Sequence, residues 1–560
     1  MNRILLTILP YWSPVIPPVG LSVLKGYLEP RGNRVRIVDL NVKTESLKFY
    51  YDYFQVLMSI VPEERRGTFF NLGNEILRTN LMVHLYCKDE IKYIEIVQTI
   101  INKWFFVQAD KKFVLQLKGV IDIYLNILEA YTKYLMDYLS PHFVGATVYK
   151  TNMPLTLYFF QLVKKYSPTT KTIIGGGAFA DSHALGSDNF KRLLEITQQY
   201  IDKIVIGQGE KTFFDYINGD LNDSERYYIS SIKNQEKWEI DNTKYNIDFT
   251  DFNMRKYSHL AFISAFSCPF KCSFCNEYKF WGNYRKRPNE TVINEMKELY
   301  ATHNRQLFFA TDSLLNYTVD AISEEVYRQN LPFYYDTYFR VSNDTMKLEN
   351  TIKWRNGGLY RVRLGLESGS QKMLDLMNKQ ITVPQIKESL KAFSYAGIKT
   401  TTYWVIGHPG ETEEDFQMTL DLIEECKDYI WQAECNLFQY FRSGTQNSED
   451  EWSKASKLMY PEEYTKYLIF EEWELEKEPL RDLAFDRICR FITHCKSLGI
   501  PNPYSAYENF EADKRWSKLT KNAVPFTSDL SKENESPIIS RISQGIASEN
   551  LFGNDDILLI

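Results

Sequence analysis

Short apolar runs alternate with segments of helical spacing along the first part of the chain. Five apolar runs are short enough to be strands: 4–9, 34–40, 143–149, 171–175 and 203–206. Residues 21–28 and 153–166 carry apolar side chains at helical spacing between them. This alternation predicts a doubly wound, Rossmann-like parallel sheet. Residues 45–140 break the rhythm with Tyr, Phe and Leu at helical spacing, which predicts a helical insertion.

A second alternation begins near residue 259 and predicts a second unit. Six further runs have the pattern of strands: 261–267, 306–312, 334–340, 361–367, 399–406 and 433–439. Helical patterns separate them, most clearly at 289–302, 383–396 and 413–425. Six β/α units predict a partial, open (β/α)6 barrel rather than a full barrel of eight.

These patterns predict an α/β protein with four parts. The sheet with its insertion occupies 1–210, a polar linker 211–257, the partial barrel 258–448, and a mainly helical C-terminal region 449–560. Within the last part, 450–525 is helical in pattern and 526–550 is polar enough to be loosely ordered, while the apolar residues 556–560 are expected to dock back.

Charge and composition exclude several classes of protein. The chain of 560 residues has a formal net charge of −6, which argues against a general basic surface for nucleic acid. No apolar run reaches the ~18 residues of a membrane span, and the N-terminus lacks a cleavage-site pattern. Eight cysteines are too few for a disulfide scaffold of this length. We therefore expect a cytoplasmic protein.

Three of the cysteines form a motif. Cys268, Cys272 and Cys275 make a C-x3-C-x2-C loop directly after the first predicted barrel strand. Three thiolates on one loop can hold three irons of a [4Fe-4S] cluster, which leaves the fourth iron open to a small molecule. A structural zinc ion would need a fourth ligand. The nearest downstream candidate, His303, has no partner residue in the sequence.

This motif resembles the signature of radical S-adenosylmethionine (SAM) enzymes, and the resemblance extends over about 260–445. The matching stretches are 280–282, 285–288, 309–313, 363–370, 405–416 and 441–445, although the usual Gly-Gly-Glu is absent from 309–313. In that family SAM binds the open iron, and its reductive cleavage releases a 5′-deoxyadenosyl radical. The resemblance implies these SAM contacts: Phe270, Phe274, Asp312, Arg340, Glu367 and Gly407.

The first sheet resembles the cobalamin-binding domain of B12-dependent radical SAM enzymes. The matching stretches are 17–24, 174–177 and 206–210. The resemblance depends on their order along the chain, ahead of the predicted barrel. The resemblance implies the following cobalamin contacts: Pro17, Gly20, Thr147, Tyr149, Gly175, Gly176, Gly177, Gly207, Gln208, Gly209 and Glu210. A sheet that has lost its cofactor is the alternative.

One apparent cobalt-ligand motif lies in the wrong place. Residues 181–186 fit D-x-H-x-x-G, but they follow the fourth strand, whereas cobalamin proteins with this motif carry it after the first strand. The loop 11–19 contains no histidine. We therefore expect His183 not to bind cobalt. The lower face of the corrinoid would instead be shielded by the loop 13–20 with Thr147 and Tyr149.

The resemblance implies a C-methyltransferase acting on an unactivated carbon of a natural product or peptide. One SAM would methylate cobalamin, and a second would generate the radical that takes a hydrogen atom from the substrate. The substrate would lie between the two units, with 45–140 and 450–560 as lids, and electrons would come from a flavodoxin or ferredoxin. Three alternatives stay open: a radical SAM cyclase or rearrangement enzyme, a non-catalytic iron–sulfur or corrinoid sensor, and a tRNA-modifying enzyme. The net charge of −6 and the lack of a basic module argue against the last.

Overall fold

The computed structural model describes residues 1–180, 182–230, 247–442, 450–502 and 506–530. Its strands are β1 Arg3–Ile8, β2 Arg34–Asp39, β3 Phe143–Thr147, β4 Lys171–Gly175, β5 Lys203–Ile206, β6 Tyr227–Ile229, β7 Leu260–Phe262, β8 Ala265–Phe266, β9 Arg285–Lys286, β10 Leu307–Ala310, β11 Tyr334–Phe339, β12 Leu359–Glu367, β13 Lys399–Ile406, β14 Gln432–Leu437, β15 Ser456–Leu458 and β16 Trp473–Leu475.

The helices fall between these strands. They are α1 Val19–Leu28, α2 Thr44–Met58, α3 Phe69–Tyr86, α4 Glu90–Phe105, α5 Lys111–Leu139, α6 Met153–Tyr166, α7 Asp188–Thr197, α8 Glu210–Ile217, α9 Glu277–Trp281, α10 Asn289–His303, α11 Val319–Arg328, α12 Leu348–Asn356, α13 Gln371–Leu376, α14 Val383–Tyr395, α15 Glu413–Cys426, α16 Asp450–Lys454, α17 Thr465–Leu468, α18 Arg481–Ser497, α19 Ala506–Leu519 and α20 Thr527–Leu530.

The N-terminal unit is a parallel sheet with the strand order β2-β1-β3-β4-β5-β6. The predicted Rossmann-like sheet is thereby confirmed. Its central strands read as continuous apolar runs because helices cover both faces of a parallel sheet. The order reverses between β1 and β3, and ligands bind at such a switch point, beyond the carboxyl ends of the strands.

The sheet extends beyond the predicted boundary at residue 210. Helix α8 begins at Glu210, and β6 pairs in parallel with β5. The prediction of a linker over 211–257 is therefore wrong for 211–229. Strand β6 has only three residues and two adjacent tyrosines, so its pattern was too short to recognise as a strand.

The insertion lies between β2 and β3 and consists of four helices, α2 to α5. The side chains of Asp89 and Asp110 cap α4 and α5 by accepting hydrogen bonds from backbone N–H groups of the first turn. The buried faces of these helices share one apolar core with β1, β3 and α6. The insertion is thus packed onto the sheet.

The second unit is an open, all-parallel sheet with the strand order β14-β13-β12-β11-β10-β7. This is the predicted partial (β/α)6 barrel. Helix α15 begins with a reciprocal capping box in which Thr412 and Asp415 bond each other's backbone N–H groups, which fixes the loop that leaves β13. One apolar core contains side chains of both sheets, so the two units pack directly against each other.

The C-terminal region is helical as predicted in α18 and α19, with one correction. Strands β15 and β16 form an antiparallel pair within the span expected to be helical. Strand β15 is a three-residue run of alternating pattern, which gives little signal of a strand in a charged region. We call residues 456–484 the strap. The predicted docking of 556–560 and most of 526–550 lie outside the described residues. Among the residues described, no helix is both long and apolar enough to cross a bilayer.

Candidate active site

The three motif cysteines lie on a loop at the carboxyl edge of the partial barrel. Ser267, immediately before Cys268, has a positive φ of 69°, which turns the chain sharply out of β8. The backbone N–H of Cys275 donates to the carbonyl of Cys272 and closes the second turn. The loop is fixed to the far side of the barrel, because Ser273 N donates to the Met377 carbonyl at 3.0 Å.

Two cations face the aromatic side chains of this loop. The guanidinium of Arg340 lies 3.9 Å from the ring centroid of Phe270, and its Nη1 is 3.3 Å from Sγ of Cys272. The ammonium of Lys379 lies 5.7 Å from the Phe274 ring centroid. Both cations are buried, so a nearby negative group is needed to offset their desolvation. Thiolates or a carboxylated ligand at the loop would be such a group.

Lys379 pairs with a carboxylate, whereas Arg340 has one nitrogen without a partner. Lys379 Nζ is 2.5 Å from Glu367 Oε1, and Glu367 has a left-handed backbone with φ of 65° at the end of β12. The Nη2 of Arg340 is buried and has no hydrogen-bond partner. The predicted SAM contacts Phe270, Phe274, Arg340 and Glu367 are thus brought together around one loop.

The protonation of the thiols reflects their burial. Desolvation raises the pKa of Cys268, and it raises the pKa of Cys275 to about 12. Loading of a metal centre would therefore release protons. Within the described ranges, no three His, Cys, Asp or Glu side chains converge closely enough for a single metal ion. A [4Fe-4S] cluster binds its thiolates at separate irons, and a loop with three cysteines can supply three of them.

Asp312 and Gly407 follow β10 and β13, which are separated by two strands in the sheet. Asp312 is buried after β10, accepts a hydrogen bond from Ser264 N at 2.8 Å, and its pKa is raised by burial to about 6. Gly407 has a φ of 82°, and a Cβ there would lie 2.5 Å from Cβ of Ala484. Its N–H donates to Glu411, which in turn pairs with Arg487. Their roles toward SAM stay predictions.

A cavity of about 520 Å³ lies at the carboxyl edge of the first sheet, and we call it the glycine cavity. Ten of the predicted cobalamin contacts line it: Gly20, Thr147, Tyr149, Gly175, Gly176, Gly177, Gly207, Gln208, Gly209 and Glu210. Its opposite wall includes Phe266 and Ser267, the two residues before Cys268. The cavity therefore reaches from the glycine loops to the start of the cysteine loop.

Backbone forms much of one wall of the glycine cavity. Gly176 has a φ of 124°, and a Cβ there would lie 2.7 Å from the carbonyl oxygen of Val148. Any side chain would collide with the sheet, so the wall stays flat. Pro17 is buried but is absent from the described lining, unlike the other ten predicted contacts.

Two aromatic rings close one side of this cavity. Trp12 follows β1 and stacks on Tyr149 with 4.3 Å between ring centroids. Its indole N–H donates to the Ile16 carbonyl at 3.0 Å, which holds the ring in place. The sequence analysis did not predict a role for Trp12. The available signal was its position as an aromatic residue in the loop after the first strand.

His183 lies apart from the glycine cavity. Its ring is buried, packs edge-on against Phe470 at 5.5 Å, and does not line the cavity. Desolvation lowers the pKa of His183 to about 3, so the imidazole is neutral at physiological pH. No histidine is found in the described lining of the glycine cavity. Asp181 of the D-x-H-x-x-G stretch lies outside the described residues.

A second cavity, of about 540 Å³, lies under the strap, and we call it the aromatic cavity. Side chains from the insertion, the barrel and the strap form its walls, among them Trp104, Phe438 and Trp473. Gly407 also lines it, so this cavity reaches a strand end that carries a predicted SAM contact. Sequence reasoning missed Lys379 and the strap residues, because no motif marks them. The predicted 443–445 segment lies outside the described residues.

Comparisons with known proteins agree with this geometry. Residues 262–423 match the family model described as the Radical SAM superfamily. Two curated relatives are anaerobic magnesium-protoporphyrin IX monomethyl ester cyclases. The one from Rubrivivax gelatinosus is 25% identical over 318 residues, 51% of this chain and 55% of the relative. The one from Cereibacter sphaeroides is 31% identical over 160 residues, 28% and 26% of the two chains. The chain thus spans about half, or less, of these relatives' length.

Solved structures resemble almost the whole chain. TsrM from Kitasatospora setae, a radical S-adenosylmethionine methyltransferase with cobalamin and a [4Fe-4S] cluster bound, has a TM-score of 0.60 at 14% identity, covering 96% of this chain and 100% of TsrM. OxsB, a cobalamin-dependent S-adenosylmethionine radical enzyme with aqua-cobalamin and S-adenosylmethionine bound, has a TM-score of 0.57 at 11% identity, covering 100% and 82%. At these identities the likeness shows a shared fold.

Proposed function

We propose that this chain, whose residues 262–423 are a radical SAM domain, is a cobalamin-dependent radical SAM enzyme that methylates carbon. One observation carries the proposal. The glycine cavity is continuous from the glycine loops of the first sheet to Ser267, the residue before Cys268. A corrinoid in that cavity and a cluster on the cysteine loop would be neighbours.

The residues present suit both groups. The cysteine loop offers three thiols, and the unpartnered Nη2 of Arg340 lies beside it. The glycine cavity offers a flat backbone wall and mostly apolar side chains, as sites for large planar ligands do. When bound, SAM and a [4Fe-4S] cluster supply a 5′-deoxyadenosyl radical, and cobalamin supplies a methyl group for transfer.

The side chains of the protein would hold the cofactors in place and limit the access of water to the site. Arg340 and Lys379 place positive charge beside the cysteine loop, where it would stabilise a negatively charged cluster or ligand. Glu411 fixes the Gly407 loop through the Gly407 N–H. The strap and the insertion line the aromatic cavity beside the barrel, and a substrate bound there would be partly shielded from water.

The reaction balances without a base. A substrate C–H bond breaks and a C–CH3 bond forms. The hydrogen leaves in 5′-deoxyadenosine, and the SAM that supplied that radical also yields methionine. The methyl group comes from a second SAM, which becomes S-adenosylhomocysteine. Two electrons enter in each turnover, and we expect them from a donor of the flavodoxin or ferredoxin class.

A second candidate is ring formation by the same radical chemistry. It is favoured by the two curated relatives, both cyclases, of which one is 31% identical over 160 residues. A cyclase would need the radical but would leave no methyl group on its product.

The test needs no knowledge of the substrate. Anaerobically purified protein is reduced with dithionite and given methyl-deuterated SAM. We expect 5′-deoxyadenosine to form and the label to appear on the extracted corrinoid. The Cys272→Ala variant should lose the first product. The appearance of 5′-deoxyadenosine without label on the corrinoid would contradict methyl transfer and favour the cyclase. The absence of both products would contradict enzyme function of this type and favour a sensor.

A further inference from the structure

The aromatic cavity contains a guanidinium that is held rigidly yet incompletely paired. Arg481 opens helix α18, its Nε donates to the Lys103 carbonyl at 3.0 Å, and its guanidinium lies 4.2 Å from the Trp104 ring centroid. Trp104 is itself fixed, since its indole N–H donates to Tyr460 at 2.9 Å. The orientation of Arg481 is therefore set before any ligand arrives.

The same guanidinium lacks a carboxylate. Its Nη2 is buried without a hydrogen-bond partner, and no carboxylate of the described residues lies within ion-pair distance of Arg481. The nearest acids are already engaged. Glu472 pairs with Arg78 at 2.8 Å and Glu474 with Lys103 at 3.2 Å. A buried guanidinium with an open donor is stabilised by a carboxylate, which it binds in a planar geometry.

The rest of the cavity suits a flat apolar body. Trp104, Phe438, Phe470 and Trp473 contribute aromatic faces, and the guanidinium of Arg442 lies 4.3 Å from the ring centroid of Trp473. Aromatic walls of this kind favour stacked or edge-on contacts with planar groups. The cavity volume of about 540 Å³ is in the range of small-molecule sites.

The position of Arg481 connects the cavity to the reaction. Arg481 and Ala484 are three residues apart on α18 and so lie on one face of the helix. Ala484 packs against Gly407, a predicted SAM contact that follows β13. A ligand held by Arg481 would thus lie about one helical turn from Gly407, a predicted SAM contact.

We propose that the aromatic cavity binds the substrate, that this substrate is a planar aromatic carboxylate, and that Arg481 holds its carboxylate. The inference rests on the proposed function only where it calls this ligand the substrate. Binding of the carboxylate by Arg481 does not depend on that function. Arg481 is a binding residue here, with no part in bond breaking.

The experiment compares acids with their amides on the cofactor-loaded protein under anaerobic conditions. The probes are 3-phenylpropionate, 2-naphthylacetate and the corresponding primary amides, and binding is measured by calorimetry. We expect each acid to bind at least ~10-fold more tightly than its amide, because only the acid carries the negative charge that pairs with the guanidinium of Arg481. The Arg481→Gln variant should lose this preference. Arg490→Gln, on the same helix but paired outward with Glu413, is the matched control and should keep it.

Equal binding of acids and amides, or a preference that survives in Arg481→Gln, would overturn the proposal. If Arg481→Gln fails to fold, the acid–amide comparison on the unmodified protein still decides. SAM cleavage is measured on the same samples. Loss of cleavage with the acid preference intact would overturn the proposed function alone, and cleavage without any acid preference would overturn only this inference.

Discussion

The glycine cavity and the aromatic cavity have nearly the same volume, about 520 and 540 Å³, but they are built differently. The first is shaped by backbone, with glycines at the ends of β4 and β5 and a few apolar rings. The second is shaped by side chains, with tryptophans, phenylalanines and buried ion pairs. A backbone wall suits a large planar group that fills the space. A wall of charged and aromatic side chains suits a smaller ligand that must be oriented.

Both cavities meet the same barrel edge from different sides. The glycine cavity reaches Ser267 beside the cysteine loop, and the aromatic cavity reaches Gly407 at the end of β13. This difference supports the proposal that the first cavity binds a cofactor and the second a substrate. Four substitutions test whether the two cavities have separate roles.

The largest effect is expected from the cysteine loop. Cys272→Ala removes the thiol that Arg340 contacts and should abolish SAM cleavage, with iron content falling to near background. Corrinoid content should stay near that of the unmodified protein, because the glycine cavity is built from other residues. Iron, sulfide and 5′-deoxyadenosine assays check this. Cys489→Ala, which removes a half-buried thiol on α18, is the control and should retain iron. Loss of corrinoid together with iron would show that the two sites are not separable.

The second change fills the glycine cavity without straining the fold. Gly20 lies in α1 and has open space where a Cβ would be, so Gly20→Leu places a side chain in the cavity. We expect corrinoid affinity to fall by at least ~10-fold, while binding in the aromatic cavity is unchanged.

The matched control is Gly119→Leu. Gly119 also lies in a helix, α5, with open space around its Cβ, and it lies outside the cavity. Both substitutions should make the free energy of helix formation more favourable by up to about 1 kcal/mol. Equal corrinoid binding by the two variants would contradict the assignment of the glycine cavity.

The third change tests whether Arg340 is needed to bind the cluster or only affects its reactivity. Arg340→Met removes the guanidinium beside Cys272 but no thiol, so iron content should persist while SAM cleavage slows by roughly 10-fold, the usual range for partners of a metal ligand. A shift in the cluster's reduction potential should accompany the slower rate. Arg328→Met, on the exposed face of α11, should change neither quantity. Loss of all iron in Arg340→Met would instead make Arg340 a structural support of the loop.

The smallest effect is expected at His183. His183→Phe should leave the absorption spectrum of the bound corrinoid unchanged, because His183 packs against Phe470 and not in the glycine cavity. A spectral shift in this variant would contradict the expectation that no imidazole binds cobalt.

The same substitution should also change how the stability of the protein depends on pH. The folded pKa of His183 is about 3, below its usual 6.5, so the unfolded chain takes up the proton more readily. Its contribution to stability is complete above pH 6.5 and is lost as the pH falls from 6.5 toward 3. His183→Phe should therefore unfold less steeply with acid across this window. Denaturant unfolding at several pH values measures the difference.

The sequence was informative wherever a pattern was long or a motif was local. Alternating apolar runs marked most strands of both sheets, and C-x3-C-x2-C marked the cysteine loop, because both signals depend on neighbours in the chain. Strand β6 and the β15–β16 pair were missed because each strand has only three residues and long-range pairing sets it.

The residues of the candidate site also fall into those that local sequence patterns predicted and those that they did not. Glycines after strands pointed to one cavity, since the carboxyl ends of parallel strands meet at one edge. Lys379 and Arg481 were not predicted. Lys379 meets Glu367 only because α13 returns beside β12, and Arg481 meets Trp104 across nearly 380 positions of sequence, for which a single sequence carries no signal. Pro17 was predicted as a contact and lies outside the described lining.

The most direct test of the central claim is the corrinoid content of each chain after anaerobic purification from cells supplied with cobalamin. The account predicts close to one corrinoid for each chain in protein that also carries its iron. Folded, iron-loaded protein with no corrinoid would contradict it and would leave a SAM-cleaving enzyme whose glycine cavity serves another ligand.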